Sequence, residues 1–369
     1  MKKKTASIVW AFGIFLCAAA VETAGGTSVP ETPAEFRGRP VRVGMINADL
    51  HAMYYAALFE AYNPLVLRDD PVGRGHAAYH YFFTHYNDPL KMTVRKAAGL
   101  RLVKIWDRNP ALAENMSRIF DSHPQVCGSV EEVSDGVDVV FIADCNGEGK
   151  DHRELASPGL KKRVPTFIDK PLAYDLEDAE KIILLARKGG TPLMSSSILE
   201  ELPHVDRFRN RFAEIGYPEF GIIKGGGPTM AGQIHAILLA LTLFGKGVES
   251  VECMGDSPLG IVRLSYGTRP DRPKSGVVLA CDSGGTYEAT YNVSAYSSRG
   301  AIHADDFGDY AFPLGAVRIL EKIREMASGG HAEESLFDRM REGVAVATAA
   351  RFAQAEKRRV FLSEIAGPR

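Results

Sequence analysis

Asn47, Asp49 and Ala52 occupy the three positions at which a dinucleotide-binding turn carries glycine, in the run VGMINADLHA. Those glycines let the chain bend sharply and let a pyrophosphate approach the amides at the start of the next helix. Asn tolerates the left-handed backbone of such a turn better than most residues. Asp49, in contrast, puts negative charge where the pyrophosphate would lie. Two readings stand: a modified cofactor loop made by Asn47, Ala48, Asp49 and Leu50, or a fold that has lost tight cofactor binding. Asp107 ends the next clear strand, RLVKIWD. An acid there can accept the two ribose hydroxyls of NAD. Arg108 can instead meet the 2′-phosphate of NADP, or the two residues form a solvated surface pair. Ala143 and Asp144 end a further strand, VDVVFIAD, and face the same cofactor edge.

Three other constellations carry weaker chemistry. His76 and His80 are spaced for one helix face, as metal ligands are. Their setting, HAAYHYFFTHY, reads more readily as an aromatic flap over a site or a partner surface, and no metal is expected. Lys224-Gly225-Gly226-Gly227 either makes a turn or lets backbone approach a ligand, and a turn is the simpler reading. Cys127, Cys145, Cys253 and Cys281 show no CxxC or Cys/His spacing for zinc. They stand either as buried thiols or as up to two disulfides.

These residues need elements to position them. VRVGMIN, RLVKIWD, VDVVFIAD, PTFID and TPLMSSS read as buried strands separated by helical spacing. Asn109 and Pro110 begin one helix, and Asp175 caps LEDAEKIILLAR, which Gly189 and Gly190 end. Alternation of this kind predicts an α/β, Rossmann-type doubly wound parallel sheet over 41–197, with an aromatic and His-rich insertion at 63–99. Ligands in such sheets lie at the carboxyl ends of the strands. The second half, 198–369, has strand-like runs (FGIIKGGG, IVRLSYG, SGVVLACD, TYEATYNVSAYSS) with few helices between them. That predicts an α+β domain with an open, mostly antiparallel sheet.

The 369 residues suit two domains, and 45% hydrophobic with 24% charged residues is ordinary for a globular chain. A formal charge of −2 gives no basic face for nucleic acid. Lys2, Lys3 and Lys4 precede an apolar run, Ile8 to Ala20, and then small residues. This predicts a Sec-type signal peptide over 1–24, a linker over 25–40, and an exported, periplasmic or extracellular protein. A membrane anchor is the alternative, but the run is short for a span, so no stable span is expected after cleavage.

The segment PTFIDKPLAYDLEDAEKI places Asp169-Lys170-Pro171 at a strand end. Here the chain resembles the glucose-fructose oxidoreductase / inositol dehydrogenase (Gfo/Idh/MocA) family, which has Glu-Lys-Pro or Asp-Lys-Pro at the end of its fifth strand. VDVVFIAD, His152 and a helix precede the motif at the usual distance. A strand ending in Ser195-Ser196-Ser197 and then ILEELPHV follow it. GQIHAILLALTLFGKGVESVE resembles the family's His-bearing helix, and RRVFLSEI its terminal strand. The resemblance covers nearly all of 41–366, thinly in 63–99.

The resemblance implies hydride transfer, with NAD or NADP, to or from a hydroxyl-bearing carbon of a sugar, cyclitol or derivative. Lys170 matches the catalytic lysine and His235 the histidine that orients the hydroxyl. Asp169 joins Lys170 at the cofactor edge, and Gln233 and His152 are further substrate-facing candidates. Many members carry Asp four residues before that histidine; here it is Ala231, which removes the carboxylate. The resemblance also implies that 198–369 is the substrate-binding and oligomerisation domain, with a homo-oligomer formed through its sheet. Two other functions fit the same two domains: a carbohydrate-binding or sensing protein without turnover, and an enzyme whose permanently bound cofactor performs concealed redox chemistry.

Overall fold

The structure is a computed structural model and describes residues 38–69, 96–143, 148–226, 230–254, 260–281, 291–308, 311–329 and 334–365. The expected signal peptide, most of the linker, His76, His80, Asp144, Cys145 and Gly227 lie outside the described residues.

Six strands form the first sheet: β1 (Val41–Ile46), β2 (Leu100–Trp106), β3 (Gln125–Val126), β4 (Val139–Ile142), β5 (Thr166–Asp169) and β6 (Leu193–Ser196). Their order is β3-β2-β1-β4-β5-β6 and every pairing is parallel. β4, β5 and β6 are buried at every position, as strands covered on both faces must be. The helix Pro110–Ile119 begins at Asn109, whose side chain accepts from the Ala111 amide at 3.2 Å. Asp175 likewise accepts from the Asp178 amide at 2.9 Å, and Gly190, at φ 59°, ends the helix Leu176–Gly189 in the left-handed conformation.

The order reverses between β2-β1 and β1-β4-β5-β6, which is where such sheets bind ligands. Register aligns the strand ends there: Ile46 pairs with Trp106 and Ile142, and Asp169 with Ser196. The residues that follow, Asn47, Asp107, Ala143, Lys170 and Ser197, therefore leave one edge together.

The second sheet holds β7 (Phe220–Lys224), β8 (Ser250–Met254), β9 (Ile261–Ser265), β10 (Val277–Ala280), β11 (Tyr291–Ser297), β12 (Gly300–Phe307) and β13 (Val360–Phe361). Its order is β12-β11-β7-β10-β9-β8-β13, antiparallel except for β7 beside β10. Burial alternates along β7, β9 and β10, so one face is covered and the other is open. The covering element is the helix Met230–Phe244, nearly continuous in apolar residues. Gly221 admits its last ring: a Cβ there would lie 2.6 Å from Phe244.

The two sheets divide near residue 197, but their cores do not. Ala316, Ile319, Leu320 and Ile323 of the helix Phe312–Ala327 share a core with Tyr55 of the helix Leu50–Ala57 and with Phe141 and Phe167 of β4 and β5. The helix Glu334–Glu356 gives Phe337, Met340 and Val344 to the first sheet's other face, and Val346, Ala350 and Ala353 to the second sheet's core. Residues Phe36–Arg369 are accordingly one compact unit. Among the described residues no helix is long and apolar enough to cross a membrane.

Candidate active site

The turn after β1 is built without glycine. Asn47 takes φ 72°, and its amide donates to the Trp106 carbonyl at 2.8 Å. Ala48 is buried, and its amide donates to Oδ2 of Asp107 at 2.7 Å. Asp49 precedes the helix Leu50–Ala57, but its carboxylate makes no capping hydrogen bond to that helix. The side chain is buried. Leu50 packs against the core, and Ala52 is fully buried where the helix meets the sheet.

Asp107 was expected to face a ribose. Its carboxylate instead turns onto backbone, with Oδ2 on Ala48 and Oδ1 accepting from Asn109 at 2.7 Å. It ties the two strand-end loops together, because two local amides need an acceptor. Arg108 points to solvent and pairs with Asp151 at 3.1 Å and Glu154 at 3.4 Å. Ala143 is buried, and its amide donates to Ile46.

Asp169 and Lys170 sit at the end of β5, 2% and 4% exposed. Oδ1 of Asp169 accepts from the Lys170 amide at 2.9 Å, and Oδ2 bonds Nδ1 of His51. His51 was not singled out from the sequence. Its signal was its place, two residues beyond Asp49 in the first turn of a helix aimed at the strand ends. Tyr55, one turn further on and fully buried, has its phenol held well above the usual range by burial, then by the charges of Asp169 and Glu201.

His152 was expected near substrate. The ring is enclosed, and its Nδ1–H donates to the Pro171 carbonyl at 2.8 Å. A carbonyl can only accept, so the ring donates through Nδ1–H and holds the Pro171 carbonyl of the Asp-Lys-Pro turn.

From the second half comes His235, half-buried in the helix Met230–Phe244. Its Nδ1 is 2.6 Å from Oγ of Ser197, and its ring meets Tyr291 edge-on at 6.2 Å. Burial pushes its pKa well below 6.5, and the nearby charges of Lys170 and His51 push the same way. Gln233, two residues earlier, is half-buried. Glu148 seats the start of this helix, its Oε1 accepting from the Met230 amide at 3.2 Å. In the glycine run before the helix, Lys224 ends β7 and Gly225 leaves it at φ 125°. Gly226 has φ 111°, and a Cβ there would lie 2.7 Å from the Gly232 carbonyl. Lys170, His51, His235 and Ser197 thus come from four segments to one edge. Among the described residues no group of His, Cys, Asp or Glu is placed to hold a metal.

Residues 72–197 match the oxidoreductase family with an NAD-binding Rossmann fold, Gfo/Idh/MocA. Over that segment, about a third of the sequence, the chain is similar to the Gfo/Idh/MocA family. The matched segment includes the Asp-Lys-Pro turn and begins after β1 and its glycine-free loop.

One curated relative is the 1,5-anhydro-D-fructose reductase of Ensifer adhaerens, 31% identical over 135 residues. That alignment spans 36% of this chain and 37% of the relative. Among solved structures, a myo-inositol dehydrogenase from Corynebacterium glutamicum has a TM-score of 0.65 at 15% identity, covering 89% of this chain and 100% of that one. The myo-inositol dehydrogenase of Lactobacillus casei, solved with NAD(H) and myo-inositol, has a TM-score of 0.63 at 15% identity, covering 87% and 96%. Both share this fold, a Rossmann-type parallel sheet beside a mostly antiparallel one.

Proposed function

We propose that this protein is an NAD(P)-dependent oxidoreductase that moves a hydride to or from a hydroxyl-bearing carbon of a sugar, cyclitol or derivative. The observation that carries the reading is the burial of Lys170 at the end of a Rossmann strand, on the edge where Ser197 bonds His235 of the second half. The sugar-type substrates of the relatives agree with it.

The loop after β1 fits a dinucleotide. Asn47 makes the left-handed turn that a first glycine makes. Ala52 is small enough for the helix to lie against the sheet, and the helix starts without a side-chain cap over its amides. The amides of Asn47 and Ala48 are already bonded to Trp106 and Asp107, so the backbone of Asp49 and Leu50 at the helix start would hold the pyrophosphate, with Ala143 beside it. Bound NAD(P) supplies the acceptor or donor of hydride.

The chain's own residues handle the proton. Lys170 takes the proton of the substrate hydroxyl during oxidation and returns it during reduction. Asp169 holds the backbone of Lys170 in place through its amide. His235, kept neutral by its surroundings, orients the same oxygen.

Isothermal titration of NAD and NADP, oxidised and reduced, tests the reading, followed by a screen of sugars and cyclitols. Micromolar binding with turnover supports it; no binding at millimolar concentration refutes it. The inward turn of Asp107 and the burial of Asp49 favour a second reading, carbohydrate binding without turnover. Sugar binding in the absence of cofactor binding would support that second reading.

We further propose export, from the triple lysine and apolar run at the start of the sequence, and self-association through the open face of the second sheet. Light scattering that finds only monomer at micromolar concentration would refute the latter.

A further inference from the structure

Ser197 and His235 meet at 2.6 Å, Oγ to Nδ1, and Ser197 is fully buried. A serine hydroxyl carries one hydrogen and two lone pairs. Here the acceptor side is occupied. The Leu199 amide donates to Oγ at 3.1 Å, and the side chain closes a capping box with Glu200 over the turn Ile198–Glu201. The hydroxyl hydrogen must point away from those amides. Among the described residues, the acceptor within its reach is Nδ1 of His235. The reverse arrangement, with Nδ1–H donating to Oγ, would leave the buried serine hydrogen without an acceptor, which is costly.

We infer that Ser197 is a positioning residue that fixes His235 in its Nε2–H tautomer, so that the imidazole meets substrate as a hydrogen-bond donor and not as a base. The low pKa of the ring is consistent with this, since a neutral imidazole has one donor and one acceptor nitrogen. The consequence is a division of labour. Nε2–H holds the substrate oxygen, whether hydroxyl or carbonyl, and Lys170 is left as the group that exchanges the proton. The turn before His235 carries Ala231 and supplies no carboxylate to impose the opposite tautomer. The role in substrate handling rests on the oxidoreductase reading above; the tautomer does not.

The test is long-range proton–nitrogen NMR on the full chain labelled with 15N-histidine, with the His235 signals assigned by their loss in His235→Gln. At neutral pH Nδ1 is expected in the unprotonated, pyridine-like range and Nε2 in the protonated, pyrrole-like range. Ser197→Thr, which keeps the hydroxyl, preserves that pattern, and Ser197→Ala moves both signals toward a mixture of tautomers. The reverse pattern in the wild type, or an imidazolium at neutral pH, overturns the inference. An unchanged pattern in a folded Ser197→Ala also overturns it. If the tautomer is as stated but NAD and NADP do not bind, the oxidoreductase reading falls while the tautomer assignment survives.

Discussion

Nδ1 of His51 bonds the carboxylate of Asp169, joining the first turn of the helix Leu50–Ala57 to the end of β5. The pair spans the two loops that the proposed reaction needs in register, one for cofactor and one carrying Lys170. Asp169 is almost inaccessible to water, so its two partners, His51 and the Lys170 amide, replace solvation.

Removing His51 should therefore destabilise the protein as well as disturb the site. His51→Ala leaves one oxygen of a buried carboxylate without its donor, at a cost of about 1–3 kcal/mol. His51→Asn, which retains a donor, should recover part of that loss. Urea denaturation reads both, and an unchanged midpoint in His51→Ala would show that the pair contributes nothing.

Lys170→Met keeps most of the side chain's bulk and removes its amine. Turnover should fall about 10²–10⁴-fold, the usual range for a lost acid–base group. Cofactor affinity should change little. Steady-state rates and a fluorescence titration of reduced cofactor separate the two; equal turnover in the variant would move the proton step to another residue.

Asp107 is expected to act through the backbone. Asp107→Ala strips acceptors from the amides of Ala48 and Asn109 and should cost about 1–3 kcal/mol. Asp107→Asn retains one oxygen and should cost less. If Asp107→Ala instead leaves the thermal midpoint unchanged and weakens only cofactor binding, the carboxylate serves ribose and not the loops.

The pKa of His235 lies well below its ordinary value near 6.5, so the folded protein resists its protonation. Below about pH 6.5 the unfolded chain binds the proton more readily than the folded one. Stability should thus be unaffected by this group above that pH and should fall as pH drops beneath it. His204, whose pKa burial also lowers, adds to the same slope. Denaturation midpoints of the wild type and His235→Gln between pH 7 and pH 5 check the sign; the variant should show the shallower decline.

Cys253 has its thiol pushed up to about 11 by burial, and its Sγ lies 3.1 Å from the Ala350 carbonyl. Cys127 and Cys253 are free thiols. Little thiolate forms at neutral pH, so iodoacetamide should modify Cys253 slowly in the native protein and readily once it is unfolded. Rapid native labelling, read by peptide mass spectrometry, would contradict the packing around it.

Much of the first sheet was legible because its signals are local. Asn109, Asp175 and Gly190 work through amides within a few residues, so their sequence positions suffice to end or begin helices. The apolar runs of β1, β4 and β5 announce strands buried on both faces. The site was legible in part. Lys170 and His235 stand in recognisable surroundings, whereas His51 and Ser197 are unremarkable in a list of residues. Asp107 and His152 were visible as polar groups at strand and helix ends, but their partners were not.

The sequence by itself determined the elements, their caps and the residue types able to move a proton, because each depends on spacing along a short stretch. Tertiary structure alone decided which of those residues meet. The reversal of strand order set Asp169 beside the helix of His51, and the helix covering the second sheet carried His235 to Ser197. It also turned Asp107 onto the Ala48 amide and let the helix Glu334–Glu356 serve both cores. Such contacts arise between residues far apart in the chain, where buried donors and acceptors must find partners that no local pattern specifies.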